Sequence, residues 1–209
     1  MTKEDLKKYY QRKNVTSTYS QQRLATNYRR EKRKKEVAIF LELLNKKDNE
    51  KVLEIGPSDG MLTQYLGKVV AIDTSKEMLK ITKKKNPQAK VLEADMFKLP
   101  FKKSSFNKVV TMRVWNHLDI LDLHLALNEA KKILKKKGVI VFDIEEKNFL
   151  RKTVNLFYKK IFGIKGFKVY QYSLDEISSI LESEGFNIEK ARYLKHKIGN
   201  QIIIKARKE

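Results

Sequence analysis

The sequence predicts a doubly wound α/β fold: a mostly parallel, seven-stranded sheet with helices on both faces and an antiparallel last strand. Three observations predict it. Short apolar runs at Val52 to Ile55, Val69 to Ile72, Ala89 to Leu92 and Val139 to Ile144 are the kind that strands buried on both faces need. Stretches with helical spacing alternate with them. The first two runs are joined by a glycine turn, Gly56 to Gly60, and a short helical stretch, Met61 to Leu66. That βαβ start places a ligand in the crevice at the carboxyl ends of the strands.

Composition bounds the rest. The chain has 209 residues, enough for one domain with a real core. Residues 1 to 28 read as an N-terminal arm, 29 to 209 as the domain, and 146 to 172 as a lid-like insertion. Cysteine is absent, which excludes disulfides, thiolate nucleophiles and cysteine metal sites. His117, His124 and His196 are too scattered for a metal motif, so no metal ligands are assigned. No run of about 18 apolar residues offers a membrane span. The start, MTKEDLKKYY, lacks the apolar core of a secretory signal, so the expected location is cytoplasmic. The 46 basic against 25 acidic residues give a net charge of +21. Lysine supplies most of it along the whole chain, which points to diffuse charge rather than a dedicated phosphate-reading face.

In chain order, the arm is polar, basic and rich in tyrosine, with Tyr9, Tyr10, Tyr19 and Tyr28. Arg29 to Glu36 is a dense charge run, read as a solvated helix face or a phosphate contact. It leads into Val37, Phe40, Leu41 and Leu44, which share one face of the same helix. The first strand follows, then the glycine turn, and Asp73 closes the second strand. Glycines let backbone amides approach a ligand closely. A carboxylate at Asp73 is placed to accept from two ribose hydroxyls. Ser75 is an N-cap, with Glu77 in the first turn and lysines at the helix end, before Pro87.

After the third strand come Glu93-Ala94-Asp95-Met96, then a turn and the fourth strand up to Met112. Arg113 to Leu118 cross the top of the sheet and gather cationic, aromatic, amide and imidazole groups where a doubly wound fold puts chemistry. A helix over Leu121 to Lys135 ends in Lys135-Lys136-Lys137 and a C′ glycine, Gly138. Ser173 and Glu176 form a capping-box pattern, and Gly185 ends that helix. Two last strands, Phe186 to Leu194 and Gln201 to Ala206, are joined by a hairpin link, Lys195 to Asn200, which contains Gly199-Asn200.

Glu54-Ile55-Gly56-Pro57-Ser58-Asp59-Gly60 resembles the E-x-G-x-G-x-G motif of the class I S-adenosylmethionine (SAM)-dependent methyltransferases, with Ser58 for the middle glycine. Asp73 matches the family's second-strand acid, and Thr74 to Leu79 its following helix start. Glu93-Ala94-Asp95-Met96 resembles the third motif, RVWNHL a related R-V-x-x-H-L pattern, and EAKKILKKKGVIVFD the family's fifth-strand entry. The group acting on small metabolites, including quinone and lipid precursors, is the subfamily it looks most like. Departures are Ser104 and Asn107, where the family carries acids before the fourth strand.

The resemblance implies SAM as cofactor, with Glu54, Gly56, Pro57, Ser58, Gly60, Asp73, Thr74 and Met78 around it. It implies Asp95 and Met96 at the adenine, although an acid at a strand end also serves as a plain loop cap. Tyr19, Arg23 and Tyr28 of the arm would reach the methionine carboxylate. Arg113 and His117 would face the methyl, with His117 orienting or deprotonating the nucleophile or simply bonding nearby backbone. Trp115 and Asn116 would line the acceptor pocket. The implied reaction is methyl transfer to a small-molecule acceptor. RNA methylation is the second reading, and the N/D-P-P-[YF] signature of amino-nitrogen methylators is absent. An inactive SAM-binding regulator is the third.

Overall fold

The computed structural model describes residues 26–148, 169–195 and 199–209. Helix α1 (Asn27–Leu44) opens it, capped by Thr26, whose hydroxyl accepts from the Arg29 N–H. Strand β1 (Val52–Ile55) and the glycine turn lead through α2 (Thr63–Leu66) to β2 (Val70–Asp73). Then come α3 (Lys76–Lys85), β3 (Lys90–Glu93), β4 (Phe106–Thr111), a single 3₁₀ turn (Trp115–His117), α4 (Ile120–Ile133) and β5 (Leu134–Glu146). The chain closes with β6 (Gln171–Tyr172), α5 (Leu174–Ser183), β7 (Phe186–Lys195) and β8 (Asn200–Lys208).

Seven strands form a continuous sheet in the order β3-β2-β1-β4-β5-β8-β7. Neighbours from β3 to β5 are parallel, and β8 runs antiparallel to both β5 and β7. The order reverses beside β1, and the carboxyl ends of β1 and β4 flank that switch point, where an open α/β sheet leaves a crevice. The two-residue β6, not anticipated from the sequence, adds an eighth strand beside β5.

Helices lie on both faces. One apolar layer joins Val37, Phe40, Leu43 and Leu44 of α1 to Leu62, Leu66, Val110, Val141 and Ile203. The other joins Leu123, Leu127 and Ile133 of α4 and Ile177 and Leu181 of α5 to Leu53, Val109, Ile140, Phe142 and Ile204. Burying each such side chain contributes about 1.5–3 kcal/mol before chain entropy is subtracted.

Local signals did much of the shaping. Ser75 accepts from the Met78 N–H and starts α3, and Ser173 and Glu176 form a complete capping box on α5. Gly185 follows α5 with φ 71°. One expectation is corrected: Gly138 does not end a helix. α4 stops at Ile133, Leu134 is already extended, and Lys135 to Gly138 lie inside β5. The pairing with β4 shifts register between Phe106 and Lys108, and Gly138 packs so closely there that a Cβ would sit 2.8 Å from the Lys135 carbonyl oxygen. The tripeptide read as a helix end is therefore the entry to a strand with a local irregularity. Most of the lid-like insertion, residues 149–168, and part of the hairpin link, residues 196–198, lie outside the described residues.

Candidate cofactor and acceptor site

The site is built on three adjacent strand ends. After β1, Gly56 donates its N–H to the Ile72 carbonyl at 2.8 Å, so the glycine turn is bonded to the last turn of β2. Gly56 has φ +68°, and a Cβ there would fall 2.4 Å from Val114 Cγ2. Only glycine fits both demands. Gly60 has φ +78°, and a Cβ would lie 2.3 Å from Asn86 Nδ2.

The end of α3 holds this turn from below. Thr82 Oγ1 donates to the Ser58 carbonyl at 2.8 Å, and Asn86 Nδ2 donates to the Gly60 carbonyl at 3.2 Å. Gly60 also donates to the Pro57 carbonyl at 2.9 Å. Ser58 adopts φ 58°, the left-handed conformation a middle glycine would supply without strain. Its hydroxyl is buried without a partner among the described residues. The departure from the motif thus keeps the backbone path and adds a polar atom facing the turn.

Glu54 lies beneath the turn, 2% exposed, and accepts from Thr63 Oγ1 at 2.7 Å. Burial pushes its carboxyl up to about 7, against the Thr63 bond and the Arg33 charge. Asp73, at the end of β2, is partly exposed and accepts from the Ser75 N–H at 2.9 Å. Burial raises its carboxyl to about 6, while bonds from Ser75 and Thr74 pull it back only in part. Met78 is buried under α3, 2% exposed, and packs rather than opens to the crevice.

Across on β3, Asp95 follows Ala94, whose N–H donates to the Asp73 carbonyl at 3.1 Å. Asp95 Oδ1 accepts from the Phe97 N–H at 3.0 Å, the loop-cap role foreseen as its alternative. Met96 is half-buried against the core. Gly56, Asp73 and Asp95 therefore stand side by side on β1, β2 and β3. Turn amides, the Asp73 carboxylate and a second acid one strand further thus lie at neighbouring strand ends, where an open α/β sheet leaves its crevice.

On the other side of β1, the stretch after β4 turns sharply. Arg113 has φ 61° and its N–H donates to Asp143 Oδ1 at 2.6 Å. Its Nε donates to Glu36 Oε1 at 2.7 Å. Trp115, expected to wall a pocket, is fully buried and stacks at 5.1 Å from Phe142. Its Nε1 and the Asn116 Oδ1 find no partner among the described residues. Asn116 is 6% exposed, and its carbonyl accepts from the Tyr170 N–H at 2.9 Å. Tyr172 donates its hydroxyl to the Leu118 carbonyl at 2.9 Å, tying β6 to the same stretch. His117 is half-buried within the 3₁₀ turn. Of the arm residues, Tyr28 lies half exposed in the first turn of α1, and Tyr19 and Arg23 lie outside the described residues.

Sequence reasoning missed Glu36, Arg33, Asp143 and Gln201. Glu36 and Gln201 are completely buried, and Asp143 and Arg33 nearly so. Glu36 Oε2 accepts from Arg33 at 3.0 Å, and Gln201 Nε2 donates both to Glu36 Oε1 at 2.6 Å and to Asp143 Oδ2 at 2.7 Å. Burial drives the Glu36 carboxyl up, but Arg113 and Arg33 outweigh it and hold it at about 2. Asp143 is pushed up to about 7, first by burial and then by the Glu36 charge.

Comparison with known proteins agrees with this geometry. Residues 53–142 match the family described as Methyltransferase domain. An uncharacterized protein of Methanocaldococcus jannaschii is 30% identical over 162 residues, which cover 68% of this chain and 63% of that one. A demethylmenaquinone methyltransferase of Thermotoga maritima is 24% identical over 75% of this chain and 76% of its own. In fold, the magnesium protoporphyrin IX methyltransferase of Synechocystis with bound S-adenosylhomocysteine superposes with a TM-score of 0.80 over all of both chains, at 17% identity. The glycine turn against β2, the acid that closes β2 and these relatives lead to one statement: the chain belongs to the class I SAM-dependent methyltransferases, enzymes with a Rossmann-like fold that use SAM as methyl donor.

Proposed function

We propose that the acceptor is a small molecule, a metabolite or a lipid or quinone precursor, and that His117 and Arg113 stand on its side of the crevice. The observation that carries this reading is the closure of the acceptor end. The Asn116 and Leu118 carbonyls accept from Tyr170 and Tyr172, which packs β6 and the residue before it against this stretch and favours a small acceptor over an extruded base. The demethylmenaquinone methyltransferase relative is in keeping with such an acceptor. The charge is in keeping with this reading, because the lysines that supply most of the +21 are spread along the whole chain rather than gathered into one phosphate-reading stretch.

SAM supplies a methyl group already activated on a positively charged sulfur, so the protein's task is mostly positioning and exclusion of water. The glycine turn and Asp73 hold the donor end. Glu54, Thr74, Met78, Asp95 and Met96 shape or support that seat. Trp115 and Phe142 set a rigid floor behind His117, which takes the acceptor's proton as the new bond forms. A screen of quinone and lipid precursors with methyl-labelled SAM tests the reading. Label should enter a small acceptor, and His117→Ala should lower turnover by about 10²–10⁴-fold with SAM affinity unchanged. Label entering RNA instead would overturn it.

A further inference from the structure

Beneath α1, two carboxylates, two guanidinium groups and one amide meet at the carboxyl end of the sheet. They are Arg33 and Glu36 from α1, Arg113 from the stretch after β4, Asp143 from β5 and Gln201 from β8, and two further carboxylates, Glu54 of β1 and Glu145 of β5, act by charge on Arg33 and Arg113. Their effect converges on Arg113. Its main chain is bonded to Asp143 and its side chain to Glu36, so β5 and α1 grip it from opposite ends. It sits at φ 61°, a left-handed conformation that a long side chain keeps only where its surroundings impose it. The next residue, Val114, rests against Gly56 and fills the space a Cβ would take. The one after, Trp115, is fully buried.

We propose that Glu36 is a positioning residue for methyl transfer: through Arg113 it sets residues 113–117, and through Val114 it seats the glycine turn, so that donor and acceptor sides are aligned from α1. A buried ion cluster is a poor device for stability, since apolar residues of the same volume serve as well or better. Its use is to select one arrangement among several, because every partner must be satisfied at once. Here the arrangement selected is a strained backbone beside the cofactor turn. The assignment also explains why two acids lie so deep. Glu36 carries the charge that answers Arg33 and Arg113. Asp143 binds the Arg113 N–H and shares the Gln201 amide, with no need for a full charge of its own.

The chain has a single tryptophan, and it lies in the stretch that Glu36 is assigned to hold. Its fluorescence reports that stretch alone. The test compares wild type with Glu36→Gln, which keeps the shape and removes the charge, and with Gln201→Leu, which cuts the bridge to Asp143 while leaving the Glu36–Arg113 pair. The readouts are Trp115 emission, acrylamide quenching, and calorimetric affinity for S-adenosylhomocysteine, on protein shown to be folded by circular dichroism. In Glu36→Gln, quenching should at least double, emission should move to the red, and affinity should fall about tenfold, the size of one lost hydrogen-bonded constraint. Gln201→Leu should move all three the same way by less. It carries the test alone if Glu36→Gln does not fold. A folded variant with wild-type fluorescence and affinity, lowered only in its urea midpoint, would overturn the proposal. A variant in which Trp115 loosens while affinity is unchanged would overturn it too, since the link to the glycine turn would then be missing.

Discussion

Alanine at position 56 is the sharpest probe of how the two halves of the site interlock. The backbone there is left-handed, and a Cβ would stand 2.4 Å from Val114 Cγ2, well inside van der Waals contact. Two costs follow. Holding an alanine in the left-handed region costs about 1–2 kcal/mol, and forcing a methyl into occupied space costs about 1–3 kcal/mol. The turn cannot slide away cheaply, because the Gly56 N–H is bonded to Ile72 at 2.8 Å. Gly56→Ala should therefore lose about 2–5 kcal/mol in urea unfolding and bind SAM at least tenfold more weakly. The second mutation of a cycle separates the terms. Val114→Ala removes the clashing methyl, so Gly56→Ala/Val114→Ala should recover the steric part and retain the backbone part, a coupling of about 1–3 kcal/mol. Strictly additive penalties, or a Gly56→Ala protein as stable as wild type, would refute the claim that Val114 and Gly56 are in contact and that the turn is fixed.

Two further perturbations read other parts of the structure. Burial raises Asp73 from 3.8 to about 6, so a protonated carboxyl is common in mildly acid solution. The charged carboxylate accepts from two ribose hydroxyls more strongly than the protonated acid, which turns one oxygen into a donor. SAM affinity should thus rise with pH through about 6 and level above 7, and Asp73→Asn should flatten that rise in calorimetry. For stability the sign is opposite: between about 3.8 and 6 the folded state binds more protons than the unfolded one, so this group's contribution falls as pH rises through that window, and the asparagine variant should lose the slope. At the amino end of β4, Lys108 is 8% exposed and donates to the Leu44 and Asn45 carbonyls at 2.7 and 2.6 Å while pairing with Glu50 at 2.7 Å. Lys108→Met should cost about 2–3 kcal/mol of unfolding free energy, because α1 loses its terminal cation, and should leave SAM affinity as it was.

What the sequence revealed was local. The caps at Ser75 and Ser173, the left-handed Gly185 and the glycine turn each follow from a few neighbouring residues, and each is where the pattern puts it. Gly138 misled for the same reason: three lysines and a glycine make a convincing helix end, and only the pairing of β5 with β4 shows that the chain has already become a strand. Glu36 was illegible because it ends a run of charges, REKRKKE, that any reading by composition leaves in water. Its burial is decided by Arg113 and Gln201, 77 and 165 residues away. Trp115 and Arg113 follow β4, but where their side chains go depends on Phe142 and Glu36, which no spacing rule connects to them.

The position of β8 between β5 and β7 governs how the sheet is completed during synthesis. The glycine turn, Asp73, Thr82 and Asn86 lie before residue 90, and β4 and Val114, which complete the seat, follow by residue 114, so the donor side can assemble well before the last strands are made. The open flank of β5, with Ile140, Phe142 and Ile144, has no such early partner. It waits for residues 200–208, and β7 has no place to dock until they arrive. A nascent chain stalled before that point presents a hydrophobic, unpaired strand edge, the surface on which chains stick to one another. Translation rate and chaperone supply while residues 146–208 are being made should therefore set the yield of folded protein more strongly than changes within residues 50–90.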